Sequence, residues 1–514
     1  MTPSQPYDTW RVLASAVLAW LLVVTALEFS YVAADPDLWG HIYFGADHWS
    51  TGTLRRSDPY SFTAAGLPWI NHEWLAELIF FLIYDWLGDA GLLFGKLLLG
   101  LAVVFTTWRL ALRRTFHPLT AAAVFSAAVF TMKPGFMIRP QLFSFLLFSL
   151  ELALLQASRP GKRHWMAGLP IIMALWVNLH GGFLMGGLIV ALFILTESAA
   201  GLRKGCRWDA AVLWGWGFAG ALATLVNPYG IGLHRFVLYT LSLPRSITEW
   251  APVCLLSTEY LAFKMLFVSV CISLWRRRRD ILSWESLALI IIGAASFLQQ
   301  RHMVFFAILA APFLVDVLSD EFGRRVWPRI RPWVSPLAVS LIASVFVIFA
   351  AGYAFKTLDR YRQCEFRIVV DPEFYPVQAM SFLKVNQFRG NLLVDFDWGE
   401  YAIWHLYPDC KVSIDGRFRT VYPQNVIDDQ FLGGNDVLGW HRTLAKYPAD
   451  ILLVRQQPFF QQLIHEKGQW VYIYSDPLSI VFVRELPHNK DLISRLKNGE
   501  LRYRDLDHHT YFPG

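Results

Sequence analysis

The sequence predicts a helical membrane protein that crosses the bilayer about eleven times and ends in a water-soluble α/β domain. The first observation is composition, because 55% of the 514 residues are hydrophobic and only 17% are charged. The second is a series of apolar runs through the first 355 residues. The third is that the apolar runs shrink to strand length after about residue 356. We therefore expect a transmembrane domain over residues 1–355 and an extracytoplasmic α/β domain over residues 356–514.

The apolar runs of the first domain have lengths that suit membrane helices. The first, at about residues 10–34, is too long for the core of a signal peptide and lacks a small-residue cleavage site, so we expect an uncleaved helix. The later runs lie near residues 90–112, 118–132, 139–157, 166–179, 181–200, 209–226, 259–275, 284–298, 303–318 and 333–353.

Clusters of Lys and Arg recur after every second run and orient the chain, because such residues stay on the cytoplasmic side. These clusters are Arg113 to Arg114, Arg159 to Arg163, Arg203 to Arg207, Arg276 to Arg279 and Arg324 to Arg331. The N-terminus is thus expected in the cytoplasm, and the first outer loop at residues 35–74 and the C-terminal domain are expected outside. The simplest location is a bacterial inner (plasma) membrane. The clusters also explain the net charge of +6, so no nucleic acid partner is expected.

One run does not fit this alternation. The segment LAELIFFLIYDWLG, residues 75–88, carries Glu77 and Asp85, and a full crossing there would move every later basic cluster to the outside. We therefore favour a re-entrant or interfacial helix. The alternative is that the chain crosses the membrane twelve times and does not follow the positive-inside rule.

The C-terminal domain has the pattern of strands alternating with helices. Five short segments rich in Val and Ile and bounded by Asp, Gly or Pro predict buried strands: NLLVDFD, KVSIDG, DILLVR, WVYIYSD and SIVFVRE. Between several of them lie helix-compatible stretches such as PVQAMSFLKVN and GEYAIWHLY. Among the five cysteines of the chain, only Cys364 and Cys410 are plausible disulfide partners, and the sequence does not decide whether they pair.

The segment after the first helix, ADPDLWGHIYFGADHW at residues 34–49, concentrates polar groups near the predicted membrane surface. Asp35 and Asp37 flank Pro36, and carboxylates in such a place act as bases or hold a divalent cation. The alternative for Asp35 is to cap the helix that Pro36 begins. Asp37 has no capping duty in that arrangement and is the stronger candidate.

The rest of the first outer loop adds further candidates for substrate binding. His41 follows Asp37 on the predicted helix, Asp58 lies in SDPYSFT, and His72 and Glu73 lie in PWINHEW just before the interfacial run. A carboxylate and an imidazole at each end of one loop can converge on a site. The alternative for His72 and Glu73 is an ordinary interfacial helix cap.

Polar residues also mark the outer ends of later helices. They are Arg139 in MIRPQ, Asn178 and His180 in NLHGG, Asn227 and Tyr229 in NPYG, Glu249 in ITEW, and Arg301 with His302 in QQRH. A guanidinium group forms bidentate bonds to phosphate oxygens, which suits a phosphate or pyrophosphate held at the bilayer surface. The alternative is that these residues end helices and turn the chain, and for NPYG we favour it.

Two segments of the C-terminal domain carry charged residues at strand ends. FDWGEYAIWHLYP at 396–408 and SIDGRFRTVYP at 413–423 contain Asp397, Glu400, Asp415, Arg417 and Arg419. Asp-Gly also makes ordinary turns, so a structural or docking role is favoured over catalysis. No Walker loop, nucleophile elbow, HExxH helix or dinucleotide fingerprint stands in a suitable context.

The motifs DPDLWGHIYFGADHW, DPYSFT, PWINHEWLAE, NPYG and DWGEYAIW, with the predicted architecture, resemble the class C glycosyltransferase superfamily (GT-C), in particular a bacterial group of unknown substrate. The resemblance implies a polyprenyl-phosphate-linked sugar donor and a catalytic carboxylate on Asp37 or Asp35. The chain departs from the usual acidic pair followed by Tyr, because Leu38 and Trp39 follow here. No sequon-binding motif is carried over, which disfavours peptide glycosylation.

These expectations define a membrane glycosyltransferase that moves a hexosyl or pentosyl group to an envelope acceptor with inversion. Asp37 takes the acceptor proton, while Arg139, Arg301 or His302 stabilises the phosphate leaving group. The acceptor, whether glycan, lipid or protein, is not determined, and any divalent cation is expected on Asp35 and Asp37. Two alternatives are a lipid or polysaccharide transporter or flippase, with Lys96, Glu151 and Glu197 as mid-span candidates, and a noncatalytic envelope-assembly protein.

Overall fold

The computed structural model describes residues 6–203, 207–241, 250–330, 334–433, 437–457, 470–503 and 510–514. Contacts divide the chain into two units. The helical unit comprises Met1–Tyr31 and Leu93–Glu365, and the mixed unit comprises Val32–Leu92 and Phe366–Gly514. The first outer loop therefore belongs to the same unit as the C-terminal residues.

Most of the elements are α-helices, which follow in chain order. They are α1 (Pro6–Glu28), α2 (Leu38–Thr51), α3 (Trp74–Ala111), α4 (Pro118–Met132), α5 (Gln141–Ala157), α6 (Leu169–Leu179), α7 (Phe183–Arg203), α8 (Arg207–Ala223), α9 (Ile231–Leu241), α10 (Leu261–Arg276), α11 (Trp284–Leu298), α12 (Met303–Glu321), α13 (Trp327–Ile330), α14 (Pro336–Gln363), α15 (Val377–Val385), α16 (Gly399–Leu406), α17 (Gln424–Gly433), α18 (Val437–Lys446) and α19 (Lys490–Lys497).

Each of the eleven apolar runs that predict a crossing overlaps one of the helices α1 to α14. Within the described residues, five helical stretches are long and apolar enough to cross a membrane: Trp10–Glu28, Trp74–Ala111, Phe183–Arg203, Gln300–Ile330 and Pro336–Gln363. Helices α5 and α11 are apolar but shorter. Apolar helices on this scale make the chain an integral membrane protein. The number of eleven crossings stays a prediction.

Helix α12 forms the centre of the helical unit. Its side chains from Met303 to Val315 are buried on every face, because the segment is apolar all round. It packs against α4, α10 and α11, while α1 packs against α14 and α4.

Helix α3 changes direction at Gly88, where φ is 65° and ψ is −164°. Glycine adopts this positive φ without the steric cost that a Cβ imposes. The turns before Gly88 are thus a separate helix that corresponds to the run predicted as re-entrant or interfacial. Its relation to the bilayer stays a prediction.

The mixed unit is built on a five-stranded sheet in the order β3-β2-β4-β6-β5. The strands of the unit are β1 (Val369–Val370), β2 (Gly390–Val394), β3 (Cys410–Val412), β4 (Ile451–Arg455), β5 (Trp470–Ser475), β6 (Ser479–Arg484) and β7 (Thr510–Tyr511). β2 pairs in parallel with β3 and β4, β6 runs antiparallel to β4 and β5, and β1 pairs with β7. Each of the five predicted strand segments overlaps one strand of this sheet.

The first outer loop continues the sheet beyond its edge strand β3. Ser61 forms a parallel bridge with Val412. The backbone N–H of Phe62 donates to the carbonyl of Val412 at 3.0 Å, and the N–H of Val412 donates to the carbonyl of Tyr60 at 3.1 Å. This pairing covers an otherwise open sheet edge and places loop residues beside the end of β3.

Cys364 and Cys410 do not form a disulfide. Both are free thiols, and the thiol of Cys410 is buried and donates to the carbonyl of Phe388 at 3.4 Å. Burial raises the pKa of the Cys410 thiol to about 12, which keeps it in the unreactive protonated form.

Candidate active site

Asp35 and Asp37, which precede helix α2, have different surroundings. Asp35 is buried, and its carboxylate accepts a hydrogen bond from the backbone N–H of Asp37 at 3.1 Å. The helix then begins at Leu38, and Asp37 is the N-cap residue without a capping bond from its own side chain. Asp35 thus shapes the turn into the helix, whereas the half-buried side chain of Asp37 makes no capping bond to it. A catalytic role for Asp37 stays a prediction.

Two carboxylates meet at Gly416, in the loop after β3. A Cβ placed on Gly416 would overlap Oδ1 of Asp37 and would lie 2.7 Å from Oε1 of Glu400. Only a residue without a side chain leaves room for both groups. Asp37 and Glu400 therefore flank the same point of the backbone.

Glu400 lies in the first turn of α16, which packs against α2. Its side chain is buried, and its Oε2 accepts a hydrogen bond from the backbone N–H of Gly40 at 3.0 Å. Burial raises the pKa of Glu400 well above its ordinary value of 4.5, and the nearby carboxylates of Asp37 and Asp415 raise it further against the opposing charge of Arg417.

The guanidinium group of Arg417 joins the first loop to the loop after β3. It donates from Nε to Oδ1 of Asp415 at 2.8 Å, from Nη2 to Oδ2 of Asp415 at 2.7 Å, and from Nη1 to Oδ1 of Asp58 at 2.7 Å. The rings of Phe44, Tyr60, Trp69 and Tyr422 surround it, with centroids 4.9 to 5.9 Å from Cζ.

This buried cluster positions Gly416, since Gly416 lies between Asp415 and Arg417 in the chain. Burial lowers the pKa of Arg417, but the charges of Asp415 and Asp58 outweigh it and hold the pKa well above its usual range. The guanidinium group therefore stays charged. Asp58, a sequence-predicted binding residue, also accepts from the backbone N–H groups of Tyr60 and Ser61 at 3.0 and 3.1 Å. Its role in substrate binding stays a prediction.

His41 lies one helical turn after Asp37 and faces the carboxylate of Glu77 in α3. Its Nδ1 is 3.8 Å from Oε1 of Glu77, and Nδ2 of Asn71 donates to the other oxygen of Glu77 at 2.5 Å. Burial lowers the pKa of His41, but the hydrogen bond to Glu77 and the charges of Glu73, Glu77 and Asp37 outweigh it, so the pKa is raised above 6.5. The imidazole thus gains a proton more readily than an exposed histidine.

His72 and Glu73, at the end of the first loop, lie next to each other, with Nε2 of His72 3.5 Å from Oε1 of Glu73. Both side chains are partly buried. All the predicted site residues of the first outer loop lie in the mixed unit: Asp35, Asp37, His41, Asp58, His72 and Glu73.

The other predicted residues lie in the helical unit. The guanidinium group of Arg301 lies 4.4 Å from the ring centroid of Trp250. Nε2 of His302 is 3.1 Å from Oε1 of Gln299. Nδ1 of His180 accepts from the N–H of Gly182 at 3.0 Å and lies 2.7 Å from Oγ of Ser144.

Arg139 belongs to the helical unit as well and precedes α5. Glu249 lies outside the described residues. The role of this group in binding a phosphate stays a prediction.

No group of three or more His, Cys, Asp or Glu side chains is arranged to hold a metal ion in the described parts of the chain. At the predicted cation pair, Asp35 is engaged with the backbone of Asp37. A cation at this place stays part of the proposals.

Sequence reasoning singled out Glu400 and Arg417 but favoured a structural role for both. In the structure Arg417 is bonded to Asp415 and Asp58, whereas Glu400 stands beside Asp37. The signal was weak, because Gly416 and Glu400 occur in motifs that also make ordinary turns and helix starts.

Comparison with solved structures shows which fold the chain shares. The chain resembles the archaeal oligosaccharyltransferase AglB from Archaeoglobus fulgidus, solved with an inhibitory peptide and a dolichol-phosphate, at 13% identity and a TM-score of 0.53 over 94% of this chain and 76% of that one. ArnT from Cupriavidus metallidurans in the apo state is 13% identical, with a TM-score of 0.50 over 94% and 99% of the two chains. The same ArnT bound to undecaprenyl phosphate gives a TM-score of 0.48 at 13% identity, over 93% and 98%.

No model of a known protein family matches the sequence, and no curated protein matches it either. The likeness to AglB and ArnT covers most of the chain. The protein thus has a class C glycosyltransferase-like fold, in agreement with the resemblance of its sequence motifs.

Proposed function

We propose that the protein is a membrane glycosyltransferase that moves a sugar from a polyprenyl-phosphate donor to an envelope acceptor on the outer face of a bacterial inner membrane. The observation that carries the proposal is the half-buried carboxylate of Asp37, which faces the buried Glu400 across Gly416 in a chain of this fold. Such a carboxylate is suited to accept a proton from a hydroxyl group.

A lipid-linked donor is supported by the solved neighbours. The AglB structure holds a dolichol-phosphate. Basic groups of this chain, Arg139, Arg301 and His302, are the proposed partners of the donor phosphate, because guanidinium and imidazole groups stabilise the charge that develops on a leaving phosphate.

The proposed reaction is a single displacement. The acceptor hydroxyl gives its proton to Asp37 while its oxygen forms a bond to the anomeric carbon. The bond from that carbon to the phosphate oxygen breaks, and the electron pair leaves with the phosphate. Attack from the face opposite the leaving group inverts the configuration of the sugar.

One observation favours a transporter as a second candidate. Glu151 in α5 is fully buried, and neither carboxylate oxygen has a hydrogen-bond partner in the described structure. Ionisable residues inside membrane segments often mark a transport path. This candidate predicts that Glu151→Gln abolishes function, whereas the glycosyltransferase requires Asp37.

The proposal is tested by mass spectrometry of envelope glycans and polyprenyl-phosphate sugars in cells that carry the wild type, Asp37→Asn or no protein. We expect one lipid-linked sugar to accumulate, and one glycan to be lost, equally in the deletion and in Asp37→Asn. Asp491→Asn is the matched control, because Asp491 is an exposed carboxylate of the same unit. A wild-type glycan profile in Asp37→Asn would contradict the assignment.

A further inference from the structure

We propose that Asp37 and Glu400 share a single proton, which Glu400 holds while Asp37 is ionised, so that Glu400 is a positioning residue for the Asp37 base. The sequence motifs did not predict this positioning role for Glu400. The role of the pair in catalysis rests on the proposed function, but the shared proton itself does not.

The first argument is the geometry of the pair. Oδ1 of Asp37 and Oε1 of Glu400 both lie where a Cβ of Gly416 would stand, so the two carboxylates are neighbours beside one backbone position. Two neighbouring carboxylates that both carry a charge repel each other, and one of them therefore keeps its proton.

The second argument is the difference in burial, which decides which group holds the proton. Glu400 is 4% exposed, whereas Asp37 is half-buried. Removal of a charge from water is costly, so the buried carboxyl group is the neutral one. The backbone N–H of Gly40 occupies Oε2 of Glu400, which leaves Oε1 on the side of Gly416 and Asp37.

The third argument is the charge of the surroundings. Asp415, Glu77 and Asp37 act on Glu400 as negative charges, and Arg417 acts as a positive one. Arg417 is already bonded to both Asp415 and Asp58, so its charge is matched by other carboxylates. His41, whose pKa is raised, lies beside Glu77.

The consequence is a fixed orientation for Asp37, because a protonated Glu400 donates a hydrogen bond to its carboxylate and holds it in place. Loss of the Glu400 proton at high pH removes this donor and creates two adjacent buried charges, so activity should fall on the alkaline side.

The experiment uses the full-length protein with Glu400→Gln, Glu400→Asp, Glu400→Ala and the control Asp491→Asn. The infrared spectrum of purified protein at pH 7 should show a carboxylic acid C=O band that is lost in Glu400→Gln and kept in Asp491→Asn. The glutamine is neutral and of the same shape, and its amide can donate to Asp37 as the acid does.

The pH profile of glycosyl transfer is the second measurement. Glu400→Gln should keep activity within about tenfold of the wild type at pH 7 and lose the alkaline fall, because the amide has no proton to release. Glu400→Ala should lose about 100-fold, because Asp37 is no longer held in place.

Two results would overturn the proposal. Identical infrared spectra of the wild type and Glu400→Gln would mean that Glu400 is ionised. An inactive Glu400→Gln with an active Glu400→Asp would mean that the residue must ionise during the reaction. If the wild type transfers no sugar, the proposed function fails, while the infrared spectra still decide whether the proton is held.

Discussion

A single guanidinium group, that of Arg417, neutralises two buried carboxylates inside the mixed unit. Its side chain is 4% exposed, and those of Asp58 and Asp415 are 0% exposed. Removal of one partner from a buried pair leaves an uncompensated charge, which costs more than the pair itself contributes. Arg417 is thus expected to hold together the first loop and the loop after β3.

We predict that Arg417→Met lowers the free energy of unfolding by about 3–5 kcal/mol, because Asp58 and Asp415 lose their buried partner. Chemical denaturation of the purified protein in detergent, followed by tryptophan fluorescence, measures this change. Arg389→Met is the matched control: Arg389 pairs with Asp409 at the surface, and its loss should cost no more than about 1 kcal/mol. Equal effects of the two substitutions would contradict the prediction.

The segment from Asp35 to Asp37 shows what a local sequence pattern can predict about single residues. The order Asp-Pro-Asp predicts a helix start, and the structure begins α2 at Leu38 with Asp35 bonded to the turn. Glu400 could not be assigned in this way, because its burial and its neighbour Gly40 come from a segment 360 positions away.

Helices α5, α6 and α7 pack closely around Gly186. A Cβ there would lie 2.5 Å from Cζ3 of Trp176 and 2.6 Å from Oε2 of Glu151, whereas a Cβ on the adjacent Gly187 would meet no atom within 4 Å. The indole N–H of Trp176 also donates to Oγ of Ser144 in α5 at 2.6 Å, so its ring has little freedom to move.

We predict that Gly186→Ala destabilises the helical unit by about 1–3 kcal/mol, because the added methyl overpacks this contact. Gly187→Ala, one position along the same helix, should be neutral or stabilising by up to about 1 kcal/mol through helix propensity. Thermal unfolding in detergent compares the two variants directly. A lower melting temperature for Gly187→Ala than for Gly186→Ala would refute the packing argument.

The apolar helices and the five strands of the main sheet followed from their own sequences, since periodicity is a local property. Strands β1 and β7 were not predicted. The edge pairing between Ser61 and Val412 did not, because no pattern within the loop indicates which strand it meets. This pairing brings the first outer loop next to β3, and Asp58 of the loop contacts Arg417 in the segment after β3.

The orientation of the whole molecule in the membrane is proposed from the distribution of Lys and Arg. The basic cluster Arg276 to Arg279 follows α10, and α19 lies in the mixed unit. From the positive-inside rule we predict that the cluster lies in the cytoplasm and the mixed unit outside.

We predict that a cysteine at Lys490, in a variant without the native cysteines, reacts with a membrane-impermeant maleimide in intact cells. A cysteine at Arg279 should react only after the membrane is permeabilised. Both positions are exposed in the structure, so a difference in labelling reports the side of the membrane. Labelling of Arg279→Cys in intact cells would reverse the proposed orientation.

The sequence by itself determined the positions of the apolar helices, the five strands of the main sheet and the candidate carboxylate Asp37, because each depends on neighbouring residues along the chain. Only the tertiary structure decided that the first outer loop joins the C-terminal residues in one unit, and that Glu400 faces Asp37 across Gly416. The physical reason is that burial and charge environment arise from segments far apart in the chain. Burial and charge environment determine that Glu400, and not Asp37, keeps its proton in the proposed pair.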